Sequence, residues 1–199
     1  MVETSKRPYR MTARADAVRA TADGILDAAI AIFWQRPTDD ISLVEIARRA
    51  GTTKQTVLRR FKSKDLLFAA AVERAFAQTR DERDKVTPGD VEGAVRVLVA
   101  HYERVGDGVI RLLAEEGRNP ALREIIDRGR AAHAAWCEQA FAPTLDGLDG
   151  GARDRRIAQL VAVCDVYTWK LLRQDRRLSR RQVEMALCEL LAPLTGEAP

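Results

Sequence analysis

The sequence lacks the long apolar run that a membrane protein requires. No uncharged run exceeds about eight residues, whereas a helix needs about 20 apolar residues to span a bilayer. The N-terminus carries positive charges but has no apolar stretch behind them, so it does not resemble a secretory signal. We therefore expect a soluble, cytoplasmic protein that has no membrane partner.

Cysteine and histidine are also scarce, with three and two residues respectively. Cys137, Cys164 and Cys188 are odd in number and have no CxxC spacing, so we interpret them as small buried apolar residues. His101 and His133 are too far apart in sequence to indicate a metal site on their own. The sequence therefore predicts neither a metal nor another cofactor.

The motifs of the common enzyme classes are missing as well. The chain contains no GxGxxG, P-loop, HExxH or GxSxG pattern. The one pair of adjacent glutamates, Glu115 and Glu116, would diverge by about 100° on a helix and would not readily share a site. We therefore expect that the protein is not an enzyme, and we keep a helical enzyme only as the remote alternative.

Charge is present in abundance, but it is unevenly distributed. Residues 1–80 hold 15 Lys and Arg against 9 Asp and Glu, whereas residues 81–199 hold 18 against 20. A basic half joined to a nearly neutral half is typical of a nucleic-acid-binding domain followed by a domain with another task.

The basic half contains a stretch, residues 42–68, with closely spaced helix start and stop signals. Ser42 and Glu45 form a potential capping box, and Gly51 suits a left-handed helix end. Thr53 and Ser63 are further cap candidates, each followed by apolar residues at helical spacing. Short helices joined by a turn of about three residues around a glycine predict a helix-turn-helix.

The second helix of this motif would expose polar and basic side chains, which supply the donors that base edges and phosphates need. An ordinary solvated basic face is the alternative. Val44, exposed on the first motif helix, could touch a thymine methyl group. The predicted DNA-binding residues are Ser42, Val44, Thr53, Lys54, Gln55, Thr56, Arg59, Arg60 and Lys64.

These residues resemble the DNA-binding domain of the TetR family of transcriptional repressors. The matching positions are Ile46, Ala47, Gly51, Thr53, Lys54, Thr56, Phe61, Lys64, Leu66 and Leu67. Leu58 stands where the family commonly has a phosphate-contacting tyrosine, and Arg59 with Arg60 could supply that contact instead. Thr52 replaces a small aliphatic residue, and Arg36-Pro37 replaces the usual glycine after the first helix.

Periodicity along the whole chain predicts an all-α fold of about nine helices. We expect a DNA-binding domain over residues 1–63, which includes a disordered basic arm up to about residue 12, and a helical domain over 64–199. The arm could lie in the minor groove or remain a solvated tail. The later helices are expected near 88–105, 108–116, 120–141, 153–173 and 179–193, with Asn119-Pro120 opening the third of these.

The resemblance implies a homodimer, a ligand site and a palindromic operator. It assigns dimerisation to the last two long helices, with Ile157, Val161, Val166, Trp169, Val183, Leu187 and Leu190 in the interface. It also implies that a small molecule is held among the fourth to eighth helices, which here offer Leu98, Tyr102, Leu113, His133, Trp136 and Tyr167. Since these are mostly apolar and no cluster of buried charge is evident, we expect an apolar or aromatic effector.

We therefore expect a ligand-responsive, sequence-specific repressor that binds double-stranded DNA. A sequence-independent DNA-binding protein is the nearer alternative, because basic helices suffice to bind phosphates. Such a protein would not require the large neutral C-terminal domain.

Overall fold

The computed structural model describes residues 6–117 and 120–196, and within these residues it is all-α, with nine α-helices and no strand. The expected fold class is confirmed. The helices are α1 (Lys6–Phe33), α2 (Leu43–Arg49), α3 (Lys54–Phe61), α4 (Lys64–Arg83), α5 (Val91–Ala114), α6 (Pro120–Ala140), α7 (Gly150–Val163), α8 (Val166–Lys170) and α9 (Arg180–Thr195). None of the described helices combines the length and hydropathy needed to cross a membrane.

The chain forms two compact units, Met1–Ala75 and Phe76–Pro199. The boundary that we expected, between residues 63 and 64, coincides with the start of α4. The division between the compact units falls later, inside that helix.

The N-terminal unit is built on a small apolar core shared by α1, α2, α3 and the first part of α4. Ile25, Ile32, Ile46 and Leu67 are fully buried in it. Arg74 of α4 forms ion pairs with two carboxylates of α1, at 2.6 Å to Asp23 and 3.1 Å to Asp27. The helices that surround the motif are thus held by apolar burial and by charge-assisted hydrogen bonds.

The disordered arm expected up to residue 12 is largely wrong, because α1 already begins at Lys6. Pro8 lies in the first turn of this helix, where its missing N–H would have no intrahelical partner anyway. Of the expected arm, residues 1–5 lie outside the described residues.

Helix α5 replaces two helices that we expected to be separate. It begins after Asp90, whose carboxylate accepts a hydrogen bond from the Gly93 N–H at 2.8 Å, and it continues to Ala114. Gly106, which we interpreted as part of a break, is a buried contact point: a Cβ there would lie 2.8 Å from Cη2 and 3.0 Å from Cε3 of Trp169. The glycine therefore serves the packing of α8 rather than a turn.

The single helix expected over 153–173 is divided into α7 and α8. Asp165 interrupts it, because its carboxylate accepts a hydrogen bond from the Tyr167 N–H at 2.8 Å and so caps a new helix. The Thr168 hydroxyl donates to the Ala162 carbonyl at 2.6 Å across the break. A short π-helical segment, Leu171–Asp175, follows α8.

Helix α9 begins as its sequence predicts. Both halves of the capping box between Ser179 and Gln182 are present, and Gly196 ends the helix in the left-handed conformation at φ 75°. The proposed Asn119 cap of α6 lies outside the described residues, while Pro120 is the first residue of that helix.

Candidate nucleic-acid interface and small-molecule site

The first helix of the motif, α2, is capped by Ser42, whose hydroxyl accepts a hydrogen bond from the Glu45 N–H at 3.1 Å. The Glu45 carboxylate accepts from Arg36 at 2.5 Å, and this hydrogen bond holds the pKa of Glu45 below its ordinary value. Arg36, one of the departures from the family pattern, therefore links the turn after α1 to the start of α2.

The turn between α2 and α3 depends on Gly51, which has a φ of 63°. Only glycine adopts this left-handed conformation without steric cost. The following Thr52 N–H donates to the Ala47 carbonyl at 2.9 Å, so the end of α2 is closed by backbone hydrogen bonds. The expected helix end at Gly51 is confirmed.

Thr53 begins α3 by accepting a hydrogen bond from the Thr56 N–H at 3.2 Å. Val57 is buried on the inner side of this short helix. Gln55 and Arg59 lie on the outer side and are exposed. The Thr53 cap and the buried Val57 thus hold α3 in place, and the polar side of this helix faces solvent.

The structure leaves most of the predicted DNA-binding residues accessible. Thr56 and Lys64 are half-buried, and Val44 is 60% exposed. The remaining predicted residues are exposed: Ser42, Thr53, Lys54, Gln55, Arg59 and Arg60.

Arg60 differs from the others because its guanidinium donates to the Val18 carbonyl of α1 at 2.8 Å. This contact gives Arg60 a role in joining α3 to α1, which the sequence did not suggest.

Lys62, which we did not predict, is exposed directly after α3 and has a φ of 68°. In the sequence, only its position between the end of α3 and the Ser63 cap indicates that Lys62 lies beside the predicted DNA-binding residues.

The predicted ligand residues divide into two groups in the structure. Leu98 and Tyr102 are buried in the core of the C-terminal unit, and Leu113 packs against that core. The Tyr102 hydroxyl donates to the Cys164 carbonyl at 3.0 Å, so it is already occupied by a structural hydrogen bond. Tyr167 is 49% exposed in the protomer and does not belong to this core.

The other two predicted residues, His133 and Trp136, meet Arg83 from the last turn of α4. Arg83 Nη1 lies 3.1 Å from His133 Nδ1, and the guanidinium lies 4.9 Å from the ring centroid of Trp136. Trp136 Nε1 donates to the Arg83 carbonyl at 3.3 Å. We call these three residues the Arg83 cluster.

Arg83 is the residue that sequence reasoning missed, since we expected no cluster of buried charge there and did not consider a single half-buried arginine. The signal was available, because Arg83 follows Phe76 by seven residues and therefore shares its side of α4. Phe76 packs against α6, since a Cβ on Gly129 would lie 3.0 Å from its ring. This spacing directs Arg83 toward α6 as well.

Two titratable groups whose pKa values are lowered adjoin the Arg83 cluster. His101 is buried, and burial, followed by the nearby Arg83, lowers its pKa to about 3. Cys137 lies with Sγ 3.9 Å from His133 Nε2, and a hydrogen bond with Cys164 is the main cause that lowers its pKa to about 6. The expected burial of Cys137 and Cys164 is confirmed, while Cys188 is half-buried.

The predicted dimer residues fall into a buried group and a more accessible group. Val166, Trp169, Val183 and Leu187 are at most 4% exposed in the protomer, so they belong to its own core and cannot supply a surface to a partner. Ile157 and Val161 are half-buried, and Leu190 is 47% exposed. Exposed apolar side chains that we did not assign to the interface occur beside them: Tyr167, Leu171 and Met185.

The capped helices α2 and α3 and the turn at Gly51 together form a helix-turn-helix. Residues 25–71 match the family model of the bacterial regulatory proteins of the tetR family. An uncharacterized HTH-type transcriptional regulator, MT1294 of Mycobacterium tuberculosis (strain CDC 1551 / Oshkosh), is 39% identical over 79 residues. These residues are 40% of this chain and 39% of that relative, so the match spans about two-fifths of each protein.

Solved structures extend the likeness of fold to most of the chain. A transcriptional regulator from Rhodococcus sp. Rha1 has a TM-score of 0.71 at 18% identity, covering 88% of this chain and 96% of that one. A complex of SmeT with triclosan has a TM-score of 0.66 at 24% identity, covering 87% and 91%. The likeness to tetR-family regulators is therefore one of sequence over residues 25–71 and one of fold over most of the chain.

Proposed function

We propose that this protein is a ligand-responsive repressor that binds a palindromic DNA operator as a homodimer. The observation that carries the proposal is the exposed polar edge of α3, held in place by the Thr53 cap and the buried Val57. Gln55 can form paired hydrogen bonds with an adenine edge, and Arg59 can contact phosphate or guanine. In this proposal, α3 enters the major groove and the first residues of α4 contact the backbone.

Selection of bound fragments from random double-stranded DNA tests this function. We expect an inverted repeat whose half-sites are about one helical turn apart, or farther if the site is stretched. Retention of unrelated sequences with equal affinity would instead support the sequence-independent alternative. The selection should be run at two salt concentrations, because phosphate contacts alone produce strongly salt-dependent binding.

The homodimer is supported by the exposed apolar side chains of α8 and α9 and the segment between them. Tyr167, Leu171, Met185 and Leu190 are each between 47% and 56% exposed. Such side chains lose solvent contact when two copies associate, and apolar burial is the main favourable contribution to association.

Sedimentation of Leu190→Glu tests the dimer. The new carboxylate would be desolvated at the interface, so the variant should sediment as a monomer and bind the operator poorly. Thr87→Glu makes the same change of charge at an exposed site between α4 and α5 and serves as the control. A wild-type protein that sediments as a monomer at micromolar concentration would contradict the proposal.

The ligand response is supported by the aromatic and polar groups of the Arg83 cluster and by the triclosan complex of the SmeT structure. In the proposal, a small apolar or aromatic molecule binds near Trp136 and releases the operator. It must bind more tightly to the DNA-free arrangement of the two reading heads, since a ligand with equal affinity for both arrangements shifts nothing.

A screen of aromatic compounds for operator release tests the response. Trp136→Phe should weaken the response while ligand-free DNA binding stays intact, because the smaller ring keeps most of the apolar volume but loses the indole N–H. Trp34→Phe, in the N-terminal unit, is the matched control. Equal release from wild type and Trp136→Phe would place the effector site elsewhere.

A further inference from the structure

Arg83 is an arginine without an acidic partner among the side chains that the structure describes. Other arginines of the C-terminal unit form ion pairs with carboxylates, such as Arg130 with Glu116 at 2.6 Å and Arg173 with Glu103 at 2.7 Å. Arg83 instead contacts a histidine and the face of an indole. Its Nε is buried without a hydrogen-bond acceptor.

This arrangement is costly unless something else completes it. Arg83 as a whole is half-buried, but a buried N–H that lacks an acceptor loses its hydration without compensation. The C-terminal end of α4 favours a positive charge, and so does the Trp136 ring, but neither provides a lone pair for Nε. An acceptor of negative charge would satisfy the Nε–H of Arg83.

The geometry of the guanidinium, rather than the charge of its neighbours, favours a carboxylate. His133, whose Nδ1 lies beside Arg83, is half-buried, and its ring stacks on Trp136 with centroids 6.1 Å apart. His101 is buried and neutral, so it adds no charge of its own. A planar guanidinium binds a carboxylate through two parallel hydrogen bonds, which an ammonium cannot reproduce.

We propose that Arg83 and His133 bind the carboxylate of a small aromatic acid whose ring packs against Trp136. The inference rests on the ligand response proposed above and adds the chemical class of the effector. All three residues belong to the C-terminal unit, and Arg83 belongs to the same helix, α4, whose first residues follow the DNA-binding motif. The negative charge distinguishes this effector from a neutral apolar molecule.

Matched pairs of aromatic acids and their primary amides test the charge. The panel consists of benzoate with benzamide, 1-naphthoate with 1-naphthamide and 2-naphthoate with 2-naphthamide, and binding to the full-length protein is measured by ligand-observed NMR. Each amide retains the ring and a carbonyl but lacks the charge. We expect at least one acid to bind about tenfold or more tightly than its amide, because hydrogen bonds to charged groups exceed neutral ones.

Arg83 variants separate ligand recognition from a purely structural role. Arg83→Gln should remove the preference for the acid, and Arg83→Lys should restore only part of it because the fork geometry is lost. Arg80→Gln, an exposed arginine on the same helix, is the matched control and should retain the full preference. If Arg83 were merely structural, its variants would lower the melting temperature without changing the ratio of acid to amide affinity.

The two proposals fail in different ways. Amides that bind wild type as tightly as the acids, an acid preference that persists in Arg83→Gln, or a panel that does not bind at all would overturn the assignment to Arg83 and His133. Acid binding through Arg83 that leaves the operator bound would uphold the site and refute the ligand response. Release of the operator by neutral compounds alone would uphold the ligand response and refute the assignment to Arg83 and His133.

Discussion

Replacing Gly106 by alanine tests whether α5 and α8 pack as tightly as the structure indicates. The added methyl carbon would lie 2.8 Å from Cη2 and 3.0 Å from Cε3 of Trp169, and closer still to Cζ3. Trp169 is 4% exposed, and its Nε1 donates to Glu103 at 3.3 Å, so the ring is confined. The methyl group therefore has to displace a large side chain that has little room to move.

Two opposing effects set the magnitude. Overpacking a well-filled core costs about 1–3 kcal/mol, and the confined indole favours the upper part of that range. Alanine in place of glycine inside a helix recovers about 1 kcal/mol. We expect Gly106→Ala to lower the free energy of unfolding by roughly 2 kcal/mol, the difference between these two effects.

Urea denaturation followed by circular dichroism measures this change. Gly24→Ala in α1 is the control, because no atom outside its own helix lies within 4 Å of the new methyl group. That variant should gain up to about 1 kcal/mol from helix propensity alone. A Gly106→Ala protein as stable as wild type would refute the close contact between α5 and Trp169.

Three further predictions concern the caps of α3 and α8 and a buried histidine. Thr53→Ala should cost about 1 kcal/mol of stability, because it removes the acceptor of the Thr56 N–H; urea denaturation measures the loss, and an unchanged stability would contradict the cap. Asp165→Ala should cost a similar amount, whereas Asp165→Asn should cost little because asparagine also caps helices; equal losses for both would refute this role. His101 has a folded pKa of about 3, below its unfolded value of about 6.5, so its contribution is complete above pH 6.5 and is lost as the pH falls toward 3. Over this window stability should fall by at most about 1.4 kcal/mol per pH unit from this group, and His101→Phe should flatten the pH profile; an identical profile in the variant would contradict the assignment.

Local signals explain why the motif could be predicted from the sequence. The Ser42, Thr53 and Ser63 caps each involve a hydroxyl and an N–H three residues later, and Gly51 needs only its own backbone freedom. The capping interactions therefore depend on neighbours in sequence, and a pattern of a few residues suffices to specify them.

Tertiary packing explains what the sequence did not reveal. Gly106 resembles a helix break until Trp169, 63 residues later, is found against it. Asp165 is a polar residue in a long apolar stretch. Because it caps α8, the helix expected over 153–173 is interrupted at this residue. Helix periodicity describes the faces of one helix at a time and does not include such partners.

The candidate sites show the same limit. Arg83, at the end of α4, resembles a solvated residue that compensates the helix dipole, and only its contacts with His133 and Trp136 connect it to the predicted ligand residues. The dimer residues were assigned to the last two long helices by the resemblance. The resemblance does not tell which side of each helix faces the protomer's own core, and Val166, Trp169, Val183 and Leu187 face it.

The claim that α3 reads DNA sequence is tested most directly by comparing Gln55→Ala with Lys64→Ala on the selected operator and on scrambled DNA of the same length. Gln55→Ala should weaken operator binding by about 1–3 kcal/mol and leave scrambled DNA unaffected, because it removes a base contact. Lys64→Ala should weaken binding to both DNAs and reduce the salt slope by about one, because it removes a phosphate contact. Equal losses for the two variants on both DNAs would contradict the account.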